Sequence, residues 1–174
     1  YVMIISTTAG LWAYNIGDTI QFTSLKPYRV IVSGRIKHFI SAFGEHVIGK
    51  EVEQALKDAT ENTSISVNEF TVAPQINPVE GLPYHEWLIE FENEPENEAV
   101  LIEALEQSLK KQNSYYLDLI EGKVLRPLKL TKIKKDGFQT YMKSIGKLGG
   151  QNKIPRLSND RNIADRMHQL NLTK

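Results

Sequence analysis

Over the first 33 positions apolar residues fall in short β-rich runs, Val2 to Ser6, Leu11 to Asn15, Thr19 to Thr23 and Arg29 to Ser33. The turn formers Ala9-Gly10, Gly17-Asp18 and Lys26-Pro27 separate them, which predicts a strand meander. Chains below about 40 residues rarely bury a core alone, so the meander is expected to lean on something else. The sequence starts at Tyr1, inside the apolar run Val2-Met3-Ile4-Ile5 and without an initiator Met. That pattern suggests a piece of a longer chain, with the upstream part as the meander's cover.

From Gly34 onward the pattern becomes mixed helix and strand. A strand pair around Gly44 leads into a helix over Gly49 to Glu61, where Val52, Ala55, Leu56 and Ala59 form an amphipathic stripe. Ile65 and Val67 alternate, and Phe70 and Val72 alternate on the other parity, which predicts a strand with a bulge at Asn68-Glu69. Trp87, Ile89 and Phe91 predict a second strand, and Glu96 to Lys111 a helix that buries Leu101, Ile102, Leu105 and Leu109. A third strand is predicted within Leu125 to Ile133. Phe138, Tyr141, Met142 and Ile145 mark a short helix stopping at Gly149-Gly150, and Asp160 to Leu170 a final one. The fold class is therefore α+β, a small mixed sheet with packed helices, preceded by the β-meander.

Composition narrows the chemistry. The 174 residues are 41% hydrophobic, with 21 Lys+Arg against 21 Asp+Glu, so no net charge draws the chain to nucleic acid or to a membrane surface. There is no spanning apolar run and no signal-peptide pattern, so a cytoplasmic location is expected. The absence of cysteine excludes a catalytic thiol and zinc-thiolate sites. The four histidines, His38, His46, His85 and His168, follow no close-set metal spacing, so no metal site is expected. The balance conceals an asymmetry: Glu86 to Glu106 holds eight Glu and no Lys or Arg, whereas Lys110 to Arg156 holds twelve Lys/Arg against Asp118, Glu121 and Asp136. The plainer reading is two solvated faces of opposite sign. The functional one is a basic tail that meets an anion such as a nucleotide phosphate. Nucleic acid is disfavoured, because its binding motifs and interleaved aromatics are missing.

The common enzyme signatures (Walker loop, G-x-G-x-x-G, G-x-S-x-G, H-E-x-x-H) are absent. Three segments carry more information. In the first, Thr7 to Asp18, an Asp18 that follows Gly17 can accept two hydrogen bonds from a ribose diol; the competing reading is a plain hairpin turn. In the second, Gly34 to Glu53, the planar donor fork of Arg35 can hold a phosphate or ribose, and Lys37 sits at the composition shift where a hinge belongs. Glu51 and Glu53 also suit a helix first turn on dipole grounds alone. In the third, Asp136-Gly137-Phe138 introduces a short helix, followed by Gly149-Gly150-Gln151-Asn152-Lys153-Ile154-Pro155-Arg156-Leu157. Without further context Lys153 reads as a loop lysine on a basic surface.

The first two segments together resemble the end of the large domain, the hinge and the opening of the small domain in the adenylate-forming superfamily of acyl-CoA synthetases and luciferase. The resemblance rests on Tyr14-x-x-Gly17-Asp18 followed by Gly34-Arg35 and the Ile-x-x-x-Gly-x-x-Val-x-x-x-Glu-Val-Glu spacing that ends at Glu53. His38 stands where many members carry Asp, and the C-terminal lysine motif lacks their usual Gly-Lys pair. Gln151-x-Lys153-x-Pro155-Arg156, with Gly10-Leu11-Trp12-x-Tyr14 upstream and Asn113-Ser114-Tyr115-Tyr116 between them, resembles the auxin-responsive acyl acid–amido synthetases.

The resemblance implies that residues 1–34 end a larger N-terminal domain and that 35–174 form a mobile lid, hinged at about 34–37. It implies an ATP-dependent ligase that adenylates a carboxylic acid and passes the acyl group to an amino acid amine. ATP would come with Mg2+, held mostly by the absent domain. Asp18, Arg35 and Tyr14 would bind the nucleotide, Lys37 would mark the hinge, and Lys153 would meet the transferring phosphate. The fragment alone is expected to be inactive. The rival expectation is a non-catalytic α+β interaction module that uses its acidic helix and basic tail to bind a protein or nucleic acid.

Overall fold

A computed structural model of the chain describes residues 1–35, 39–147, 149 and 153–174, with Arg35 described by its backbone alone. The expected hinge residue Lys37, together with Gln151 and Asn152, lies outside the described residues.

Strands β1 (Val2–Ile5), β2 (Tyr14–Leu25) and β3 (Tyr28–Arg35) pair antiparallel in that order. Lys26-Pro27 is the two-residue turn between Leu25 and Tyr28, as the sequence suggests. Gly17-Asp18 is not a turn between strands, and here the structure corrects the sequence reading. β2 runs straight through it, and the β1–β2 register slips between the pairs Ile4↔Asn15 and Val2↔Thr19. Asn15 Oδ1 accepts the Gly17 N–H at 2.9 Å, and Gly17 has a positive φ of 82°. The break is a bulge, one that glycine adopts without the steric cost other residues meet at such φ. Apolar side chains of this sheet stay in solvent, with Tyr1 83%, Tyr28 78% and Val32 64% exposed. Neither core cluster of the described residues reaches back before Ile40.

The hairpin of β4 (Phe39–Ile40) and β5 (Val47–Ile48) runs directly into α1 (Gly49–Thr60). The Ile48 N–H donates to the Glu51 carboxylate, giving one otherwise orphaned donor at the helix start a partner. Val52, Ala55, Leu56 and Ala59 are buried, as their spacing predicts. The second sheet has the order β6 (Ser66–Gln75), β7 (Tyr84–Asn93), β8 (Lys129–Ile133), with β6–β7 antiparallel and β7–β8 parallel. The β6–β7 register shifts between Val67 and Glu69, where the change of parity predicts a bulge.

A parallel pair needs a crossover, and α2 (Glu98–Gln112) with α3 (Ser114–Glu121) supplies it. Asn113 explains why two helices stand where the sequence suggests one. Its N–H closes α2 on Leu109 O, and its side-chain oxygen accepts the Tyr116 N–H to start α3. On the opposite face lie α4 (Gly137–Ser144) and α5 (Asn162–Gln169). Helix α4 stops at Ser144, short of Gly149, with Gly146 at positive φ just beyond it.

Both faces of β7 are therefore covered. Trp87, Ile89 and Phe91 join Phe70, Val72 and the buried sides of α1 and α2, while Leu88 joins Ile133, Phe138, Tyr141 and Met167. Glu86 and Glu90 share the parity of Leu88 and are buried at 1% and 5% exposure. Both oxygens of Glu90 accept backbone N–H groups, of Asp136 and Phe138, at the start of α4. Glu86 accepts from Thr131 Oγ1 at 2.7 Å and Arg161 Nη2 at 2.7 Å, and its Oε1 lies 2.9 Å from His168 Nε2.

These contacts correct the reading of the acidic run as a solvated face at Glu86 and Glu90, and Glu106 is buried too; Glu92, Glu94, Glu96, Glu98 and Glu103 are exposed, as that reading expects. Four of the run's eight Glu pair with cations further along the chain: Glu86 with Arg161, Glu94 with Lys132 and Lys174, Glu98 with Lys132, and Glu106 with Lys110.

Candidate functional site

A cleft of about 960 Å³ opens between the β2–β3 end of the first sheet and the α+β body. Asp18 on β2 and Val32, Ser33 and Gly34 on β3 line one side. Gly49, Lys50 and Glu53 from the first turns of α1, Tyr141, Met142 and Ile145 at the end of α4, and Lys147 line the other, with the segment Lys153 to Arg156. Two residues singled out by sequence, Asp18 and Lys153, are thus brought to one cavity from opposite ends of the chain. Asp18 is the register partner of Arg35, the last residue of β3, so the strand pairing places both backbones at one end of the sheet. Tyr14 is not brought in: it begins β2, 52% exposed, and does not line the cleft.

The segment that follows Lys153 is tied to the sheet at Pro155, Arg156 and Ser158. Val72 N–H donates to Arg156 O at 3.0 Å, Ser158 N–H donates to Val72 O at 3.0 Å, and Thr71 Oγ1 donates to Pro155 O at 2.8 Å. Ile154 and Leu157 are buried on either side of these bonds. Lys153 itself is exposed, two residues before the first of these bonds. The α1 part of the same wall is set by buried polar contacts. Glu45, fully buried, accepts the Phe43 N–H at 2.8 Å and meets His85 Nε2 at 3.0 Å. Asn113 Nδ2 donates to Glu45 O at 2.9 Å and to Glu51 at 3.2 Å, fastening the start of α1 to the α2–α3 junction.

The electrostatics follow from these contacts. Burial pushes the Glu45 carboxyl up, but hydrogen bonds from His85 and backbone amides outweigh it and hold the group below its ordinary value. Burial, aided by the Asp160 charge and opposed by Arg166, raises the Tyr141 phenol above its ordinary value. Three lysines (Lys50, Lys147 and Lys153) and Arg156 face the cavity with Asp18 and Glu53, a donor set suited to an anionic ligand that also carries hydroxyl groups. Lys50 and Lys147 were not legible as site residues, because nothing in their local sequence separates them from other surface lysines. Among the described residues no group of three His, Asp or Glu side chains is placed to hold a metal ion.

Solved structures share this arrangement of elements. The chain aligns over its full length with a structure described as "GH3.15 acyl acid amido synthetase", at TM-score 0.77 and 19% identity, covering 34% of that chain. A second, "AtGH3.15 acyl acid amido synthetase in complex with 2,4-DB", aligns with 100% of this chain and 32% of its own, at TM-score 0.75 and 18% identity. The chain thus spans about a third of the length of these neighbours. No curated protein sequence matches it. The model of the GH3 family central domain matches residues 1–35, and that of the GH3 family C-terminal domain matches residues 50–162. The latter takes in more than half of the sequence, and the chain belongs to the GH3 family.

Proposed function

We propose that this chain is the C-terminal portion of an ATP-dependent acyl acid–amido synthetase. One observation carries the reading: the cleft that places Lys153 across from Asp18. In the first step a carboxylate oxygen of the acid attacks the α-phosphorus of ATP, the bond to the β-phosphate oxygen breaks, and pyrophosphate leaves. In the second, an amino acid amine attacks the carbonyl carbon of the acyl-adenylate, the bond to the phosphate oxygen breaks, AMP leaves with the electron pair, and the amine releases a proton.

This chain's own contribution is nucleotide orientation and charge. The Asp18 carboxylate accepts hydrogen bonds from the two ribose hydroxyls, and Arg35, its register partner, assists at the nucleotide. Tyr14 acts only if it moves towards the cleft from its exposed position on β2. Lys153 supplies positive charge where the pentavalent phosphate accumulates negative charge, a preorganised interaction commonly worth about 3–4 kcal/mol of barrier. The exposed Lys153, just before a segment bonded to the sheet, suits a group that must reach the phosphate in one half-reaction and withdraw in the next, with the hinge at 34–37 as the pivot. Mg2+ accompanying ATP would be held mostly outside this chain, whose described residues place no group of three His, Asp or Glu side chains for it. A cytoplasmic setting, where ATP is supplied, belongs to the same reading.

The test is ATP–pyrophosphate exchange with the full-length protein that carries this chain, screened against aryl and alkyl carboxylic acids. Acid-dependent exchange, followed by AMP release on adding an amino acid, is expected. Exchange with no acid dependence across the panel would contradict the reading, and the 174-residue chain alone is expected to give none.

A further inference from the structure

The group that lies nearest in sequence to Lys153 and is least explained by the fold is Arg156. It is three residues on, in the segment tied to the sheet, and its side chain is 38% exposed, so burial does not demand its ion pairs. It nevertheless makes three contacts at once. Its Nε donates to Glu53 of α1 at 3.2 Å, its Nη1 donates to Glu69 of β6, and its guanidinium carbon lies 4.8 Å from the centroid of the Phe70 ring. Phe70 is stacked on Trp87 at 5.9 Å, so the platform beneath the guanidinium is rigid. Only a planar cation with several donors can serve all three partners, and arginine stays charged at every working pH.

Glu53 gives the arrangement its consequence. Its side chain is 57% exposed and lines the same cleft as Lys50 and Lys153. A free carboxylate there would repel a phosphate and would compete with it for both lysines; Lys50 is its i−3 neighbour on α1, within easy reach on a helix face. We propose that Arg156 is a positioning residue that keeps Glu53 engaged and so leaves Lys153 available to the phosphate of the ATP-dependent ligase reaction proposed above, on which this inference rests. Arg156 touches no reacting atom. It acts by occupying Glu53, the one carboxylate that the described residues place on the lysine side of the cleft.

A double-mutant cycle in the full-length protein separates this role from a loop-shaping one. Arg156→Gln is expected to lower kcat for acid-dependent pyrophosphate exchange about tenfold with a smaller change in KM for ATP, and adding Glu53→Gln is expected to recover most of that loss. If Arg156 merely shaped the loop, removing Glu53 would restore nothing. A double variant as impaired as Arg156→Gln, or an unimpaired Arg156→Gln, would overturn the proposal. Should Arg156→Gln fail to fold by circular dichroism, Arg156→Lys carries the same cycle, since it keeps the charge but loses the planar fork that reaches Glu53 and Glu69 while lying over the Phe70 ring; a defect relieved by Glu53→Gln supports the proposal and one not relieved overturns it. Parent protein and Lys153→Ala run alongside tell the failures apart: no acid-dependent exchange by the parent sinks the ligase reading itself, full exchange by Lys153→Ala sinks the role of Lys153 and with it this inference, and parental exchange that Lys153→Ala abolishes, together with an unrescued Arg156→Gln, sinks only the role of Arg156.

Discussion

Asp18 and Lys153 line one cleft, the first from a bulged strand near the N-terminus and the second from just before a segment laid against the edge of the other sheet. Neither is placed by its sequence neighbours alone. Asp18 follows a bulge that leaves it opposite Arg35, and Lys153 precedes a stretch whose backbone is bonded to Val72 and Thr71. If Asp18 holds a ribose diol, Asp18→Ala should raise KM for ATP about tenfold, the scale of losing hydrogen bonds to a charged acceptor. The same variant should discriminate less between ATP and 2′-deoxy-ATP than the parent does. Steady-state exchange with both nucleotides checks this, and unchanged discrimination would remove Asp18 from the ribose.

Arg161 and Glu86 tie α5 to the central strand. The carboxylate is 2% and the guanidinium 17% exposed, so removing the cation strands a buried charge with Thr131 and His168. Arg161→Met is expected to cost about 3 kcal/mol of stability in urea unfolding. Adding Glu86→Gln should return part of it, because the stranded charge is then gone. A loss below about 1 kcal/mol would mean that the pair contributes little to the packing of α5.

Stability should also depend on pH in the acid range. Burial pushes the Glu86 carboxyl up, but hydrogen bonds from Thr131, Arg161 and His168 outweigh it and hold the group below its ordinary 4.5; Glu45 is held down in the same way by His85 and backbone amides. A carboxyl with a lower pKa folded than unfolded gives its full stabilisation above the unfolded value and loses it as pH falls through the folded value. Unfolding free energy should therefore be level near neutrality with respect to these groups and decline below about pH 4.5. Glu86→Gln should flatten that decline, as read by denaturant midpoints from pH 6 to 3; an unaltered slope would assign the acid sensitivity to other carboxylates.

Much of the α+β body was legible because its elements have a single apolar period. Val52, Ala55, Leu56 and Ala59 marked α1, and the change of parity after Val67 marked the bulge in β6. Elements covered on both faces were harder. Glu86 and Glu90 looked like the wet side of a strand, yet α4 and α5 cover that side and satisfy both carboxylates. Helix α3 escaped notice because Asn113, which reads as an ending, both closes α2 and caps α3. At the cleft, Asp18 and Lys153 were legible through motif resemblance, whereas the buried Glu45–His85 pair and the Arg156–Glu53 contact join residues far apart in sequence and leave no local signal.

The central claim is that this chain delivers a charge to an α-phosphate. Lys153→Ala in the full-length protein, assayed by acid-dependent ATP–pyrophosphate exchange, tests it most directly. The predicted result is a loss of about 100-fold or more in exchange rate with the fold intact by circular dichroism. Exchange at the parent rate would contradict it.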